Sequence, residues 1–234
     1  MSLRFHRVCR TSELARLFNI KQPLLARSLT AFGSHHHQNA DVIRKMSIED
    51  PVKFWSEAAK DIVWIQPPSQ ILEIGKHGYG KWFKGGILNT SYNCLDRHIE
   101  DGLGSNLALV YDSPVTNTVR KFTYQQLHEQ VCRAASVLRN LGIEKGDRVV
   151  IYMPNIPEAV ISMLACARVG AVHSVVFGGF AAPELATRIK DCQPKLVIAS
   201  SCGIDGQKLI DYKTLLDSAL QIVGPSVQGI KTLI

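Results

Sequence analysis

Residues 146–180 decide the fold of this chain, and their sequence is GDRVVIYMPNIPEAVISMLACARVGAVHSVVFGGF. An apolar run over 147–153 predicts a strand. Pro157 then opens a helical pattern that ends at Gly170, and a second apolar run follows over 171–177. A strand, a helix and a strand of these lengths are typical of a βαβ unit, whose two strands are parallel and whose crossover is right-handed. The segment therefore predicts a parallel sheet.

The alternation of strands and helices continues on both sides of this segment. Thr123 can cap a helix whose apolar positions repeat every three and four residues. Three of the predicted strands, Val149–Tyr152, Val175–Phe177 and Leu196–Ile198, are apolar throughout, as strands covered by helices on both faces are. We therefore expect an α/β fold, a mostly parallel sheet with helices on both faces. Its further elements are a strand over 107–111, a hairpin turn over 112–120, helices over 124–140, 183–191 and 212–223, and strands over 195–200 and 230–234.

The segment over 47–105 is less regular. Helical spacing runs from Pro51 to Val63, glycine-rich loops anchored by Trp82 and Phe83 are expected after it, and a short helix is expected over 92–100. The stretch that begins GKHGYGKW at Gly75 nearly fits a phosphate-binding loop. A tryptophan replaces the Ser or Thr that would hold magnesium, and no apolar helix follows, so we do not expect a nucleotide loop there.

Most of the positive charge lies near the N-terminus. The chain carries a net charge of +7, of which residues 1–40, with six basic residues and one acid, contribute +5. An Arg-rich, acid-poor and amphipathic beginning predicts a mitochondrial transit peptide, with a disordered or nucleic-acid-binding arm as the alternative. The nearly balanced remainder gives no reason to expect a nucleic-acid partner. We therefore expect a leader over 1–46, an N-terminal segment over 47–105, a larger domain over 106–234, and a location in the mitochondrial matrix.

The cysteines and the most apolar stretch exclude other classes. None of the six cysteines forms a C-x-x-C pair or has zinc-ligand spacing, so no metal site is expected. Cys132 and Cys166 fall in helical apolar patterns and are predicted to be reduced core residues. Residues 159–180 are interrupted by Gly170 and by Arg168, so we expect a buried helix and strand there and no membrane span.

Two glycine-containing segments follow apolar strands and are the candidate binding site. Phe177-Gly-Gly-Phe180 follows one strand, at the end where open α/β sheets bind ligands. Its glycines allow a close approach and its aromatic rings offer faces for a base, although a tight turn with core phenylalanines fits the spacing equally well. Gly203-Ile-Asp-Gly-Gln-Lys208 follows the next strand, and Lys208 is either a phosphate-binding cation or a solvated loop lysine.

At these residues the sequence resembles a known family. The run over 146–180, together with YDSPVTNT at 111–118 and NCLDRHIE at 93–100, resembles short-chain acyl-CoA synthetases of the adenylate-forming superfamily. The last two stretches are most similar to the propionyl-CoA synthetase branch. The resemblance runs from about residue 47 to the last residue.

The resemblance implies a two-step ligation that uses ATP, Mg²⁺, coenzyme A and a short-chain carboxylate, propionate or acetate. The carboxylate first forms an acyl-adenylate and pyrophosphate, and the thiol of coenzyme A then displaces AMP. By resemblance, Phe177, Gly178 and Gly179 belong to the pocket for the nucleotide of coenzyme A. The loop that holds its 3′-phosphate side is matched by Asp205, Gly206, Gln207 and Lys208. Relatives usually carry arginine at the last position, and lysine keeps the charge without the bidentate fork.

Several motifs of the family do not occur in these 234 residues, among them its Ser/Thr/Gly-rich phosphate loop and its catalytic lysine. We therefore expect no catalytic residue in this chain, an incomplete first subdomain with an open apolar edge, and no turnover by the chain alone. The alternative is a product that binds coenzyme A or a partner without catalysis. The sequence predicts no oligomeric state.

Overall fold

The computed structural model describes residues 40–75 and 78–234, and the chain divides into two compact units. One unit ends at Leu88 and the other begins at Asn89. Most of the predicted leader, 1–46, lies outside the described residues.

The described residues of the first unit form two α-helices and a β-hairpin: α1 (Ala40–Glu49), α2 (Pro51–Ala58), β1 (Gln70–Ile74) and β2 (Gly80–Lys84). Asp50 caps α2 by accepting a hydrogen bond from the Lys53 amide at 3.0 Å. The predicted helical spacing reached Val63, but the α-helix ends earlier and a 3₁₀ turn, Ala59–Asp61, follows it. The Ala59 carbonyl accepts hydrogen bonds from the Ile62 amide and from the indole of Trp64, which ends the regular helix.

The prediction of loops between Gly75 and Gly86 is wrong, because β1 and β2 form an antiparallel hairpin there. Trp82 packs edge to face against Trp55, with ring centroids 5.9 Å apart, and Phe83 packs against Trp64 at 5.6 Å. The expected aromatic anchors are therefore present, but they hold strands. The GKHGYGKW stretch that begins at Gly75 continues into β2, so it is followed by a strand and not by a helix.

The second unit begins with a short helical segment and a hairpin. A π-helical turn, Tyr92–Asp96, runs into α3 (Arg97–Glu100), where a short helix was predicted. β3 (Leu107–Ser113) pairs with β4 (Thr118–Thr123). The connecting turn is shorter than predicted, because pairing continues to the facing residues Ser113 and Thr118.

Helix α4 (Tyr124–Asn140) has the predicted bounds. The Thr123 hydroxyl accepts a hydrogen bond from the Gln126 amide at 3.2 Å, and the Gln126 side chain accepts one from the Thr123 amide at 3.0 Å. This reciprocal pair satisfies two backbone donors that the first turn leaves free.

The rest of the second unit consists of β5 (Arg148–Tyr152), α5 (Pro157–Val169), β6 (Val172–Val176), α6 (Ala182–Cys192), β7 (Leu196–Ala199), the hairpin β8 (Gly203–Asp205) and β9 (Lys208–Ile210), α7 (Tyr212–Val223) and β10 (Lys231–Leu233). Four of these strands form the predicted parallel sheet, in the order β10-β7-β5-β6, with all three neighbouring pairs parallel.

Helices cover both faces of this sheet, as predicted. Alternate residues of β5 face opposite sides: Val149 and Ile151 join one buried cluster, and Val150 and Tyr152 join the other. Helices α4 and α5 supply the first cluster, and helices α6 and α7 supply the second. The fold is therefore a three-layer α/β arrangement built around β5 and β7.

One predicted strand is not covered. Val175 and Phe177 were expected to be buried, but they are 52% and 68% exposed. In the described part of the chain β6 has a strand on one side only, so its residues lie at the edge of the sheet. With Val172, which is 54% exposed, they form an open apolar edge.

The two cysteines that were predicted to lie in the core, Cys166 and Cys132, differ in burial. Cys166 is buried, and burial raises the pKa of its thiol to about 11. Cys132 was predicted to lie in the core, but it is only half-buried because it faces a groove between α4 and α5.

Among the described residues, no helix has the length and apolar character needed to cross a membrane.

A polar cluster joins the segment before α3 to the helices behind the sheet. Arg168, near the end of α5, donates to both carboxylate oxygens of Asp96 at 2.7 Å, and the His128 ring nitrogen lies 3.1 Å from the same carboxylate. The side chain of Asn89 donates to the carbonyls of Ala167 and Arg168. The hydrogen bonds from Arg168 hold the pKa of the Asp96 carboxyl below its ordinary value.

Replacing Asp96 by asparagine should destabilise the second unit by about 2 kcal/mol at pH 7, because a bidentate charged contact is lost. The native pKa of Asp96 is depressed, so its contribution is complete above the unfolded value of about 4 and disappears as pH falls through the lower folded value. Urea unfolding at pH 7 and pH 3 should therefore show a difference from wild type that shrinks in acid.

The matched control is Asp112→Asn, which changes an exposed carboxyl on β3. It should alter stability by less than about 0.5 kcal/mol at either pH. Equal effects of the two substitutions at pH 7 would contradict the role given to Asp96.

Candidate functional site

The candidate site lies at the carboxyl edge of the parallel sheet. Strands β5, β6 and β7 are neighbours and end side by side at Tyr152, Val176 and Ala199. Ligands of open parallel α/β sheets bind in the crevice beyond this edge. The two segments singled out in the sequence both leave from it, one after β6 and the other after β7.

The segment after β6, the glycine turn (Phe177–Phe180), is closed by a hydrogen bond from the Phe180 amide to the Phe177 carbonyl at 3.0 Å. Phe177 projects into solvent and its ring meets that of Phe180 edge to face at 5.7 Å. The alternative interpretation, a tight turn with two core phenylalanines, is therefore wrong, because Phe177 is exposed. Arg188, on α6, places its guanidinium 5.9 Å from the centre of the Phe180 ring.

Neither glycine of this turn has room for a side chain. A methyl carbon at Gly178 would lie 2.5 Å from the Tyr212 hydroxyl and 3.2 Å from the Met153 carbonyl oxygen. A methyl carbon at Gly179 would lie 2.5 Å from the Phe177 ring. The turn is thus packed on its inner side and open on the side of Phe177.

The segment after β7 is a small hairpin, where a loop was predicted. β8 and β9 pair antiparallel and place Asp205 opposite Lys208, with Gly206 at φ +60° in the turn. We call Asp205–Lys208 the hairpin turn; all four of its residues are exposed. Glycine allows the left-handed backbone that a two-residue turn requires.

Tyr212 lies between the glycine turn and the start of the hairpin. Methyl carbons at Gly178 and at Gly203, the first residue of β8, would lie 2.5 Å from its hydroxyl and 2.6 Å from its Cε2. Each of these glycines also faces the segment after β5, Gly178 at the Met153 carbonyl and Gly203 at Pro154 Cγ. One predicted site residue, Gly178, and the first residue of the hairpin that carries four others therefore flank one aromatic side chain.

Sequence reasoning missed Tyr212, Tyr152 and Arg188. The two tyrosines are almost completely buried and pack edge to face at 5.0 Å, and the Tyr152 hydroxyl donates to the Phe180 carbonyl at 2.6 Å. The available signal was a large aromatic directly after the helix-capping Asp211, together with glycines after the two strands that flank β5. This signal can be recognised only when the order of the strands in the sheet is known.

The electrostatics keep both tyrosines as neutral phenols. Burial, and then the negative charge of Asp205, raise the pKa of Tyr212. Burial, followed by the influence of Tyr212, raises the pKa of Tyr152. Both hydroxyls are therefore protonated at neutral pH, and the Tyr152 hydroxyl acts as the donor to the turn.

A groove adjoins the glycine turn. It has a volume of about 500 Å³ and is lined mainly by apolar side chains from the segment after β5, from α5 and from β3, among them Met153, Pro157, Val160, Met163, Tyr111 and Phe177. A larger groove of about 700 Å³ lies between the ends of α4 and α5, and no residue of either turn lines it. The smaller groove is the one connected to the candidate site.

The described residues contain no group of three or more His, Cys, Asp or Glu side chains placed to hold a metal ion. The arrangement can therefore offer a ligand a backbone turn, an exposed aromatic face, a lysine and an apolar groove.

Such an edge, with glycines and a cation on loops beyond parallel strands, defines an open α/β ligand-binding domain. A family model described as AMP-binding enzyme matches residues 101–229, and one described as acetyl-coenzyme A synthetase N-terminus matches residues 41–94. The chain belongs to the AMP-binding enzyme family, as its sequence motifs indicated.

The chain is similar to several curated proteins. It is 50% identical over 176 residues to the mitochondrial acyl-CoA synthetase short-chain family member 3 of Homo sapiens, and the aligned residues are 75% of this chain and 26% of that protein. It is 53% identical over 176 residues to an uncharacterized protein of Pseudomonas aeruginosa, where the alignment covers 75% of this chain and 28% of that protein. It is 46% identical over 183 residues to the acetyl-coenzyme A synthetase of Pasteurella multocida, where the alignment covers 78% of this chain and 28% of that protein. The chain thus spans about a quarter of the length of these relatives.

The packing at Gly178 predicts that Gly178→Ala will lower the melting temperature by roughly 3–8 °C, because the added methyl group must displace Tyr212 or the Met153 carbonyl. Gly104→Ala is the matched control, since its nearest neighbours would lie 3.7 Å away. It should change the melting temperature by less than about 2 °C. Calorimetric scans of both variants test this, and equal shifts would refute the packing argument.

Proposed function

We propose that the protein joins a short-chain carboxylate, propionate or acetate, to coenzyme A through an acyl-adenylate, using ATP and Mg²⁺. We assign to this chain the binding of the nucleotide end of coenzyme A, at the glycine turn and the hairpin turn. Because the chain spans about a quarter of its relatives' length, the activity of the whole protein is part of the proposal. Its support is the family membership and the names of the relatives.

The observation that carries the binding site is that the glycine turn and the start of the hairpin both lie against Tyr212. An exposed aromatic ring, Phe177, lies on the glycine turn, and an exposed cation, Lys208, lies at the turn of the hairpin. A purine and a phosphate are the groups that such a pair of side chains recognises. The nucleotide of coenzyme A carries both.

Each residue of the site then has a defined task. Phe177 offers its ring to the base, and Gly178 and Gly179 keep the backbone low enough for the ligand to approach. Lys208 meets a phosphate as a point charge, while Gln207 offers an amide. Asp205 lies opposite Lys208 in the hairpin register. Coenzyme A, when bound, supplies the thiol that accepts the acyl group.

The domain organisation and the compartment are also proposals. We propose a leader over 1–46, an N-terminal segment over 47–105 and the start of the adenylation domain over 106–234, with the protein in the mitochondrial matrix. The names of the mammalian relatives include the word mitochondrial, and those of the bacterial relatives do not. The Arg-rich composition of the first 40 residues supports the mitochondrial location.

Lys208→Gln should weaken binding of coenzyme A about tenfold, because a charged contact to phosphate is lost. Dephospho-coenzyme A, which lacks the 3′-phosphate, should bind wild type and variant alike. Titration calorimetry with both ligands measures this, and Lys190→Gln, an exposed lysine on α6, is the control that should bind as wild type does. Absence of binding by the wild-type chain at millimolar coenzyme A would overturn the proposed site.

The ligase proposal predicts that the protein purified from its own cells forms propionyl- or acetyl-coenzyme A and releases pyrophosphate when given ATP, Mg²⁺ and the acid. The recombinant 234-residue chain should release no pyrophosphate above background. Thioester formation is followed by chromatography and pyrophosphate by a coupled assay. Failure of the native protein with both acids, or clear turnover by the recombinant chain, would contradict the proposal.

A further inference from the structure

Tyr212 occupies the space between two glycines of the candidate site. A methyl carbon at Gly178 would lie 2.5 Å from its hydroxyl, and one at Gly203 would lie 2.6 Å from its Cε2. Both glycines therefore lie directly against the edge of the ring that carries the hydroxyl and Cε2, with no space left between them and the ring. The position of this edge therefore limits how closely the glycine turn and the start of the hairpin approach each other.

The ring is itself fixed in place. Tyr212 is the first residue of α7, and Asp211 caps that helix by accepting hydrogen bonds from the amide and the hydroxyl of Thr214 at 2.9 and 2.7 Å. The Lys213 amide donates to the Ser201 carbonyl at 3.1 Å, which ties the same turn of α7 to the end of β7. Tyr212 is only 3% exposed, so its ring cannot swing into solvent without opening the core.

A second buried tyrosine supports the first. Tyr152 lies at the end of β5, the central strand, and packs edge to face against Tyr212 at 5.0 Å. Its hydroxyl donates to the Phe180 carbonyl at 2.6 Å, which holds the far end of the glycine turn. Tyr152 thus fixes the position of the glycine turn relative to the sheet, and Tyr212 fixes its distance from the start of the hairpin.

We propose that Tyr212, supported by Tyr152, is a positioning residue that sets the separation of the exposed Phe177 ring and the Lys208 cation. This inference rests on the proposed function, because it assigns the separation to a ligand with a base and a phosphate at a fixed distance, the 3′-phosphorylated nucleotide of coenzyme A. Neither tyrosine needs to touch the ligand. Two contacts on one rigid ligand reinforce each other only when their spacing matches it.

The consequence is a loss of selectivity when the spacer shrinks. Tyr212→Leu removes the ring that lies against Gly178 and Gly203. The glycine turn and the hairpin can then shift relative to each other, so Lys208 no longer lies at a fixed distance from Phe177. The affinity for coenzyme A should fall about tenfold, and the affinity for dephospho-coenzyme A should fall less. The preference for the 3′-phosphate should therefore shrink toward unity, which a general loss of stability would not cause.

Calorimetric titration of the 234-residue chain with both ligands tests this. Tyr124→Leu is the matched control, because Tyr124 is a half-buried tyrosine that is also the first residue of a capped helix, yet it packs against His98 in another part of the unit. It should keep the wild-type preference. An unchanged preference in a folded Tyr212→Leu chain would overturn the inference while leaving the proposed function in place. A wild-type chain that binds neither ligand would overturn the proposed function, and the inference with it.

A second test covers the case in which Tyr212→Leu does not fold. Tyr212→Phe keeps the ring but removes the hydroxyl that a side chain at Gly178 would strike. Gly178→Ala should therefore weaken coenzyme A binding less when it is combined with Tyr212→Phe than when it is made in wild type, by about twofold or more because the closest contact is relieved. Additive effects of the two substitutions would show that the tip of Tyr212 does not limit the position of the glycine turn, and would overturn the inference.

Discussion

Burial of β5 on both faces is the constraint on which this structure depends. Val149 through Tyr152 are completely inaccessible to solvent, and a strand without a polar face requires a helical layer on each side. The four strands of this sheet run parallel, and a parallel neighbour can be reached only by a crossover that returns to the starting end. Every connection that follows a carboxyl end therefore lies at the same edge. The candidate site is at that edge because of this connectivity, before any side chain is considered.

The alternation of β5 also connects the core to the site. Its last residue, Tyr152, belongs to the cluster formed by α6 and α7, yet its hydroxyl reaches the backbone of the glycine turn. Tyr212 belongs to the same cluster and lies against the same turn. The turn is thus an extension of the hydrophobic core that carries exposed groups on its outer side. In the proposed site, a turn held in this way would lose little freedom on binding a ligand, which favours affinity.

The sequence predicted the elements whose ends are determined by neighbouring residues. Helices α4 and α7 have the expected bounds because their caps, Thr123 and Asp211, act on residues three positions away. The hairpin β8–β9 was missed because three-residue strands carry almost no periodicity and exist only through pairing. Val175 was wrongly expected to be buried, because an apolar run does not show whether a strand is central or at an edge. The same reason explains why both glycine segments were found and Tyr212 was not. A strand end is a local feature, whereas the ring between two strand ends depends on the order of the sheet.

Asp205 lies opposite Lys208 in the hairpin, so the formal charges of the hairpin turn cancel, and this limits how strongly the turn can attract a phosphate. A single lysine opposite a carboxylate attracts a phosphate less than an arginine fork would, since the fork adds two directed hydrogen bonds to the charge. An exposed lysine also loses rotamer freedom when it is held in one position. Accurate placement of the turn then matters more, because a weak contact contributes only if it is made at the right distance. The buried tyrosines supply that placement from beneath the site, where water does not compete and where the cost of order was met when the chain folded.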